Sequence, residues 1–142
     1  MESMILKGRT VIRGEALGIA LVSREPISFW GGYDWQTGEI IDRRHDLSGA
    51  IAKGKILALP FTRGSSTTTA VLLEAIRAGT APAAIITTET DFFFALASVV
   101  AHELYEKPLP LVALDASLFL NLKTGDEIEV HMDGELLVTR RS

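Results

Sequence analysis

The first third of the chain mixes β-branched and polar residues in two stretches, Ile5 to Ile12 and Leu17 to Val22, punctuated by Gly14 and Gly18, and this pattern predicts strands. An open loop follows, Phe29-Trp30-Gly31-Gly32-Tyr33-Asp34-Trp35-Gln36-Thr37-Gly38, with aromatic residues set among glycines. Exposed tryptophan is uncommon, so this loop is expected to pack on something. From Lys55 short apolar runs alternate with helical periodicity. Ile56 to Leu59 is a short apolar strand ended by Pro60. Thr67 to Ala78 carries Leu72, Leu73 and Ile76 on one side and is followed by Gly79, suited to the left-handed position after a helix. Ala83 to Thr87 is a second apolar strand. Asp91 to Tyr105 is a second helix on which Phe92, Leu96, Val99, Val100 and Leu104 share a face, expected to be the core face. Pro108 and Pro110 end it, Leu111 to Leu114 is a third strand, and Ile128 to Met132 and Leu136 to Thr139 flank Asp133-Gly134, a two-residue hairpin signal.

Strand, helix, strand, helix, strand implies a parallel sheet with right-handed crossovers. The fold class is therefore α/β, a β/α/β domain to which the tail adds an antiparallel or barrel-like β part. With no internal repeat and no linker-like tract, residues 1–142 read as a single domain. Apolar residues make up 47% of the chain and charged residues 23%, a balance that buries a core and excludes disorder. No cysteine is present, which excludes disulfides, thiolate zinc sites and an iron-sulfur cluster ligated by this chain in the usual way. A formal charge of −4 argues against binding a nucleic-acid backbone. No stretch reaches the ~20 apolar residues of a membrane span, and Met1 to Gly8 lacks a signal-like apolar region, so a cytoplasmic protein without a membrane partner is expected.

Chemistry is densest in Pro60-Phe61-Thr62-Arg63-Gly64-Ser65-Ser66-Thr67-Thr68-Thr69, between the end of a predicted strand and the start of a predicted helix. In open α/β sheets that edge binds ligands. Gly64 permits positive φ or close backbone approach, helix-start N–H groups favour an anion, and Arg63 can grip a carboxylate or phosphate through two bonds. The same residues also read as an ordinary helix cap beside a solvated arginine, and spacing alone leaves the two readings level. Trp30, Gly31, Gly32 and Asp34 suit a pocket rim or an interface, although taken by itself their loop reads as a Gly-Gly turn pinned by a buried tryptophan. His45 reads as part of a solvated loop, His102 lies on the second helix, and His131 lies in the hairpin, with no metal-ligand spacing among them. Ser65, His102 and Asp91 compose a catalytic triad only on paper. Phe92-Phe93-Phe94 reads as core, with at least Phe92 buried, and Asp126, Glu127 and Glu129 read as the solvated side of the hairpin.

Several motifs together carry a family resemblance: Gly14-Glu15-Ala16-Leu17-Gly18, Pro26-Ile27-Ser28-Phe29-Trp30-Gly31-Gly32, Asp34, Thr37-Gly38, Ile41-Asp42, His45, Leu47-Ser48-Gly49, Lys55-Ile56-Leu57, Arg63-Gly64-Ser65-Ser66 and Val71-Leu72-Leu73-Glu74. In these the chain resembles the small, swivel-domain component of aconitase-X-type dehydratases, which includes the small subunits of cis-3-hydroxy-L-proline dehydratase and phosphomevalonate dehydratase. The resemblance implies the swivelling β/α/β fold of aconitase mobile domains. It also implies an active site shared with a large subunit whose cysteines hold an iron-sulfur cluster or metal, with no cofactor bound by this chain alone. The family's proton-abstracting serine follows Arg/Lys-Gly, which matches Ser65; Arg63, Gly64, Ser66, Thr67 and Thr69 are then the substrate-binding residues. Where many relatives carry a Gly-Ser pair, this chain has Thr68-Thr69, so Thr69 is the hydroxyl left at that place. The implied reaction is elimination of water from a hydroxylated carboxylic acid. Arg63-Gly64-Ser65-Ser66 is closer to the hydroxyproline type than the Lys-Gly-Ser-Thr of the phosphomevalonate type, so the expected substrate is cis-3-hydroxy-L-proline, with phosphomevalonate as the alternative.

Two readings from other classes remain. Ser98 to Leu104, Pro110 and Gly125-Asp126 also resemble phosphohistidine swivelling domains, but the position of their phosphorylated histidine falls on Leu96 here, which points to shared fold rather than shared function. The other is a noncatalytic binding module that docks a partner through the Trp30 loop.

Overall fold

The computed structural model describes residues 1–63 and 66–141; Gly64, Ser65 and Ser142 lie outside the described residues. The chain runs β1 (Glu2–Lys7), β2 (Arg9–Ile12), β3 (Ala16–Val22), β4 (Ile56–Ala58), α1 (Ser66–Ala78), β5 (Ala84–Thr87), α2 (Phe92–Tyr105), β6 (Leu111–Ala113), α3 (Ala116–Phe119), β7 (Glu127–Val130) and β8 (Glu135–Arg140). These strands form an eight-stranded sheet in the order β1-β8-β7-β3-β4-β5-β6-β2. Strands β3, β4, β5 and β6 run parallel to one another, as the alternation of strand and helix predicts. Antiparallel pairing of β7 with β3, β8 with β7 and β1 with β8 adds the expected second part.

Two features turn this sheet into a curl. β3 changes partner along its length, with Ala16 to Ile19 opposite β7 and Ala20 to Val22 beside β4. β1 and β2 stand at opposite ends of the strand order, yet only Gly8 separates them. The predicted strand from Ile5 to Ile12 therefore breaks at Gly8, where a Cβ would overlap Val112 Cγ1. The close approach excludes a larger residue and lets the two ends of the sheet meet.

Alternation along the strands divides the apolar residues between two cores. Ile56, Ala58, Ala84, Ile86 and Val112 point into the curl with Phe119, Leu122, Ile128, Val130, Leu136 and Val138. Leu57, Leu59, Ile85 and Leu111 point outward, under α1 and α2 and the loop that carries Phe29, Tyr33 and Ile40. Each fully buried Leu, Ile or Phe contributes about 1.5–3 kcal/mol relative to exposure. The short helix α3 has no periodic signature. Arg24 holds its end, donating to the carbonyls of Leu120 and Leu122 with its guanidinium over the Phe119 ring.

The orientation of α2 departs from expectation. Phe94, Ala97, Ser98 and Ala101 face the core, whereas Phe92, Leu96, Val99 and Leu104 are exposed. The helix is apolar on nearly every side, so its period admits two stripes, and packing chooses between them. Close approach of the helix to its neighbours favours the small residues Ala97, Ser98 and Ala101. Ser98 is also anchored there: its hydroxyl donates to the Leu109 carbonyl and accepts from the Leu109 N–H.

Candidate functional site

The C-terminal ends of the parallel strands converge on Thr62. Its backbone forms a parallel bridge with Ile27, and the next N–H, of Arg63, donates to the Ile27 carbonyl at 2.9 Å. On its other side, the Thr62 N–H and hydroxyl both donate to Asp91 Oδ2, at 2.9 and 2.8 Å. The remaining oxygen of Asp91 caps α2 by accepting from the N–H groups of Phe93 and Phe94. One carboxylate thus fixes the loop after β4 to the start of α2. Thr69 adds a second tie, donating its hydroxyl to the Phe93 carbonyl at 2.9 Å and keeping its lone pairs.

This junction sets out the predicted site residues. Arg63 is exposed, and among the described residues its guanidinium has no carboxylate partner. Ser66 is exposed at the first position of α1, Thr67 is half-buried behind it, and Thr68 is buried. Gly64 and Ser65, the second carrying the catalytic assignment, lie between Arg63 and Ser66 and outside the described residues. What the described flanks offer is a free cation and a helix start side by side, an arrangement that receives an anion. A hollow of about 690 Å³ lies elsewhere, along the β7–β8 rim, and shares no residue with this loop.

The loop from Phe29 to Gly38 is pinned differently from expectation. Trp30 is 71% exposed, and the buried anchors are Phe29 and Tyr33. Their rings stack at 4.7 Å, and Phe29 meets Phe94 of α2 edge-on at 5.2 Å. The Tyr33 hydroxyl donates to the Thr80 carbonyl, and burial pushes its phenol well above the usual tyrosine range. Gly32 passes so close to Ser28 that a Cβ would overlap the Ser28 carbonyl oxygen, while Gly31 takes φ +75° in open space. Asp34 closes the turn by accepting the Gln36 N–H. Trp30 is thereby held out on a rigid base, as a rim or interface residue requires.

Other candidates fall into structural roles. His45 is buried rather than solvated: its Nδ1 accepts the Leu47 N–H at 3.1 Å, and its Nε2 lies 3.4 Å from the Glu25 carbonyl and 3.5 Å from Ser23 Oγ. Asp46 accepts from the Ser23 hydroxyl at 2.7 Å. Glu25, His45 and Asp46 can bring one ligand atom each within 4.8 Å of one another. Both ring nitrogens are nevertheless engaged locally, so the cluster does not fit a resident metal, and the chain supplies no thiolate. His102 lies about 16 Å along α2 from Asp91 by helix rise, so the triad of Ser65, His102 and Asp91 does not assemble. Asp126 is only 2% exposed, against expectation. Arg140 grips both its oxygens at 2.8 Å and holds its carboxyl below the usual range. Sequence reasoning missed Thr62 and Asp91 as site supports; Asp91 stands where an N-cap is expected, but its second oxygen serves a residue 29 positions earlier.

Residues 5–139 match the aconitase X swivel domain family. The chain is 47% identical over 106 residues to a cis-3-hydroxy-L-proline dehydratase of Pseudomonas aeruginosa, covering 75% of this chain and 18% of that protein. It is 39% identical over 132 residues to the phosphomevalonate dehydratase small subunit of Methanosarcina acetivorans, covering 92% of this chain and 88% of that one. Among solved structures, a chain of Thermococcus kodakaraensis aconitase X, crystallised in its holo-form, superposes with a TM-score of 0.85 at 34% identity, over 96% of this chain and 99% of that one. The curled eight-stranded sheet, the loop at the ends of its parallel strands and a sequence match across nearly the whole length agree, and the chain belongs to the aconitase X swivel domain family.

Proposed function

We propose that this chain is the small subunit of an aconitase-X-type dehydratase and supplies one side of an active site that a large subunit completes. The observation that carries the reading is the placement of Arg63 and the start of α1 together at the C-terminal edge of the parallel strands, on either side of Ser65. In the elimination, a base takes the proton from the carbon next to the one bearing the hydroxyl. The C–H electron pair becomes the new double bond, and the hydroxyl departs with its bonding pair and takes up one proton, so that the proton lost from carbon and the hydroxide lost from its neighbour amount to one water. Ser65 is the base. A serine hydroxyl is weak in that role unless ionised, and Arg63 with the helix-start N–H groups supplies the positive surroundings that favour an alkoxide. Arg63 also receives the substrate carboxylate or phosphate. The cofactor belongs to the large subunit in this reading, since this chain offers no cysteine.

Two substrates have support. Correspondence over almost the full length with separate phosphomevalonate dehydratase small subunits favours phosphomevalonate. The 47% identity to the hydroxyproline enzyme, and the Arg-Gly-Ser-Ser form of the loop, favour cis-3-hydroxy-L-proline. Assaying the reconstituted complex with each acid decides between them. In that complex, Ser65→Ala is expected to lower kcat by ~10² or more with assembly intact, and turnover near the wild-type rate would remove Ser65 from the chemistry. A binding module would survive that substitution and lose partner affinity on Trp30→Ala. Acid-labile phosphate on a histidine after incubation with phosphoenolpyruvate would support the phosphohistidine reading instead.

A further inference from the structure

The two helices over the outer core present opposite kinds of surface. On α1 the outward residues include Ser66 and Arg77, the latter paired with Glu74 at 2.8 Å. A helix facing water on that side is expected to look like this. On α2 the outward line is Phe92, Leu96 and Val99, exposed by 67%, 40% and 49%. The line continues to Glu103, where it turns polar, with Leu104 exposed beside it, so Phe92 and Leu96 lie in the half of α2 nearest Asp91 and Val99 at its middle. That half is the one tied to the Thr62 loop by Asp91 and Thr69. Phe61 and Trp30, also exposed, stand within three residues of the Thr62–Ile27 bridge. Three segments fastened together at the Thr62 junction therefore each carry an uncovered ring within three residues of their tie.

We infer that this face, centred on Phe92, Leu96 and Val99, is where the large subunit docks; the inference rests on the functional reading above. Relatives that match over most of their length are themselves named small subunits, and a large subunit that completes a site at Arg63 is brought to the junction from which this apolar line starts. In the P. aeruginosa relative the corresponding unit is 18% of a longer chain, so there it is carried beside a large remainder on one polypeptide. A second copy of this chain fits the face poorly, since a symmetric contact here would set two identical Arg63 loops against each other and cover both. Exposed aromatic and aliphatic side chains ringed by polar ones are also the makeup of an interface centre.

The test uses the full chain, the aconitase X large subunit encoded in the same genome, and a Leu96→Glu/Val99→Glu variant, with Arg77→Glu on α1 as control. Calorimetric titration is expected to show at least a hundredfold weaker binding for the α2 variant and unchanged binding for the control. Melting temperature of the isolated chain should stay the same, and turnover should recover at saturating variant, with kcat retained. Binding within threefold of wild type would overturn the docking face while leaving the dehydratase reading intact. A wild-type chain that is dimeric alone, and becomes monomeric in the variant with large-subunit binding unchanged, would assign the face to a second copy and overturn it as well. Failure of the wild-type chain to bind the large subunit would remove the functional reading, and this inference with it.

Discussion

Asp91 does two jobs with one carboxylate, and its removal should separate them. Replacing it by alanine leaves the first N–H groups of α2 uncapped and the donors of buried Thr62 without an acceptor, a loss of about 1–3 kcal/mol, read as a lower urea midpoint. In the assembled enzyme the same substitution should lower turnover further than the stability loss explains, because the loop before Arg63 loses its lateral tie. Phe29 is the other residue on which the site edge depends. Its ring lies between Tyr33 and Phe94, so Phe29→Ala should cost about 3–5 kcal/mol and free the Trp30 loop, measurable as a drop in melting temperature and faster amide exchange over residues 29–38. Neither role was legible from local pattern. Asp91 is recognisable as a cap, but its bond to Thr62 joins positions far apart in the chain, and a phenylalanine beside a tryptophan gives no sign of which ring is buried.

Among the elements, legibility follows the range of the signal. The hairpin was plain because its requirements are local: Gly134 sits at φ +87°, and Asp133 accepts the Glu135 N–H. The ends of α1 were plain for the same reason, with Gly79 at φ +79°. The facing of α2 was not, since an almost uniformly apolar helix has no unique stripe and tertiary packing decides. Two substitutions in the isolated chain test that facing. Leu96→Gln should change stability by less than about 0.5 kcal/mol, whereas Ala101→Leu should cost about 1–3 kcal/mol through overpacking. The reverse order in chemical denaturation would mean that the helix is turned the other way. The partner change in β3 and the presence of α3 were also hidden, because both are set by the curl of the sheet rather than by any repeat in the sequence.

At the scale of the molecule, the inner core is closed by pairing between the chain's first and last strands and by the Arg140–Asp126 ion pair beside them. Arg140 holds the Asp126 carboxyl below its ordinary value of about 3.9, so the folded state is favoured by this carboxylate above that value, and the contribution fades as pH falls through the lowered one. Stability should therefore decline as the pH drops below about 4. Asp126→Asn should be less stable than wild type at neutral pH and should show a shallower decline in acid. The comparison by urea melts at pH 7 and pH 3 checks the sign, and equal slopes would detach Asp126 from acid stability. The barrel-like character was expected from the tail, but closure through Gly8 required knowing which strands flank each end of the sheet.

That closure has a consequence for synthesis. Glu2 lies opposite Arg140, and β1 completes its ladder only with β8. Synthesis makes β1 well before β8, with the parallel strands and helices between them, so β1 must wait while those elements form. Contacts so distant along the chain also slow folding. During that interval β1 exposes an unpaired strand edge with Ile5 and Leu6 in it, and edges of this kind are where nascent chains meet chaperones or one another. For this fold, the joined sheet is complete only once the later of its two pairing strands has been made.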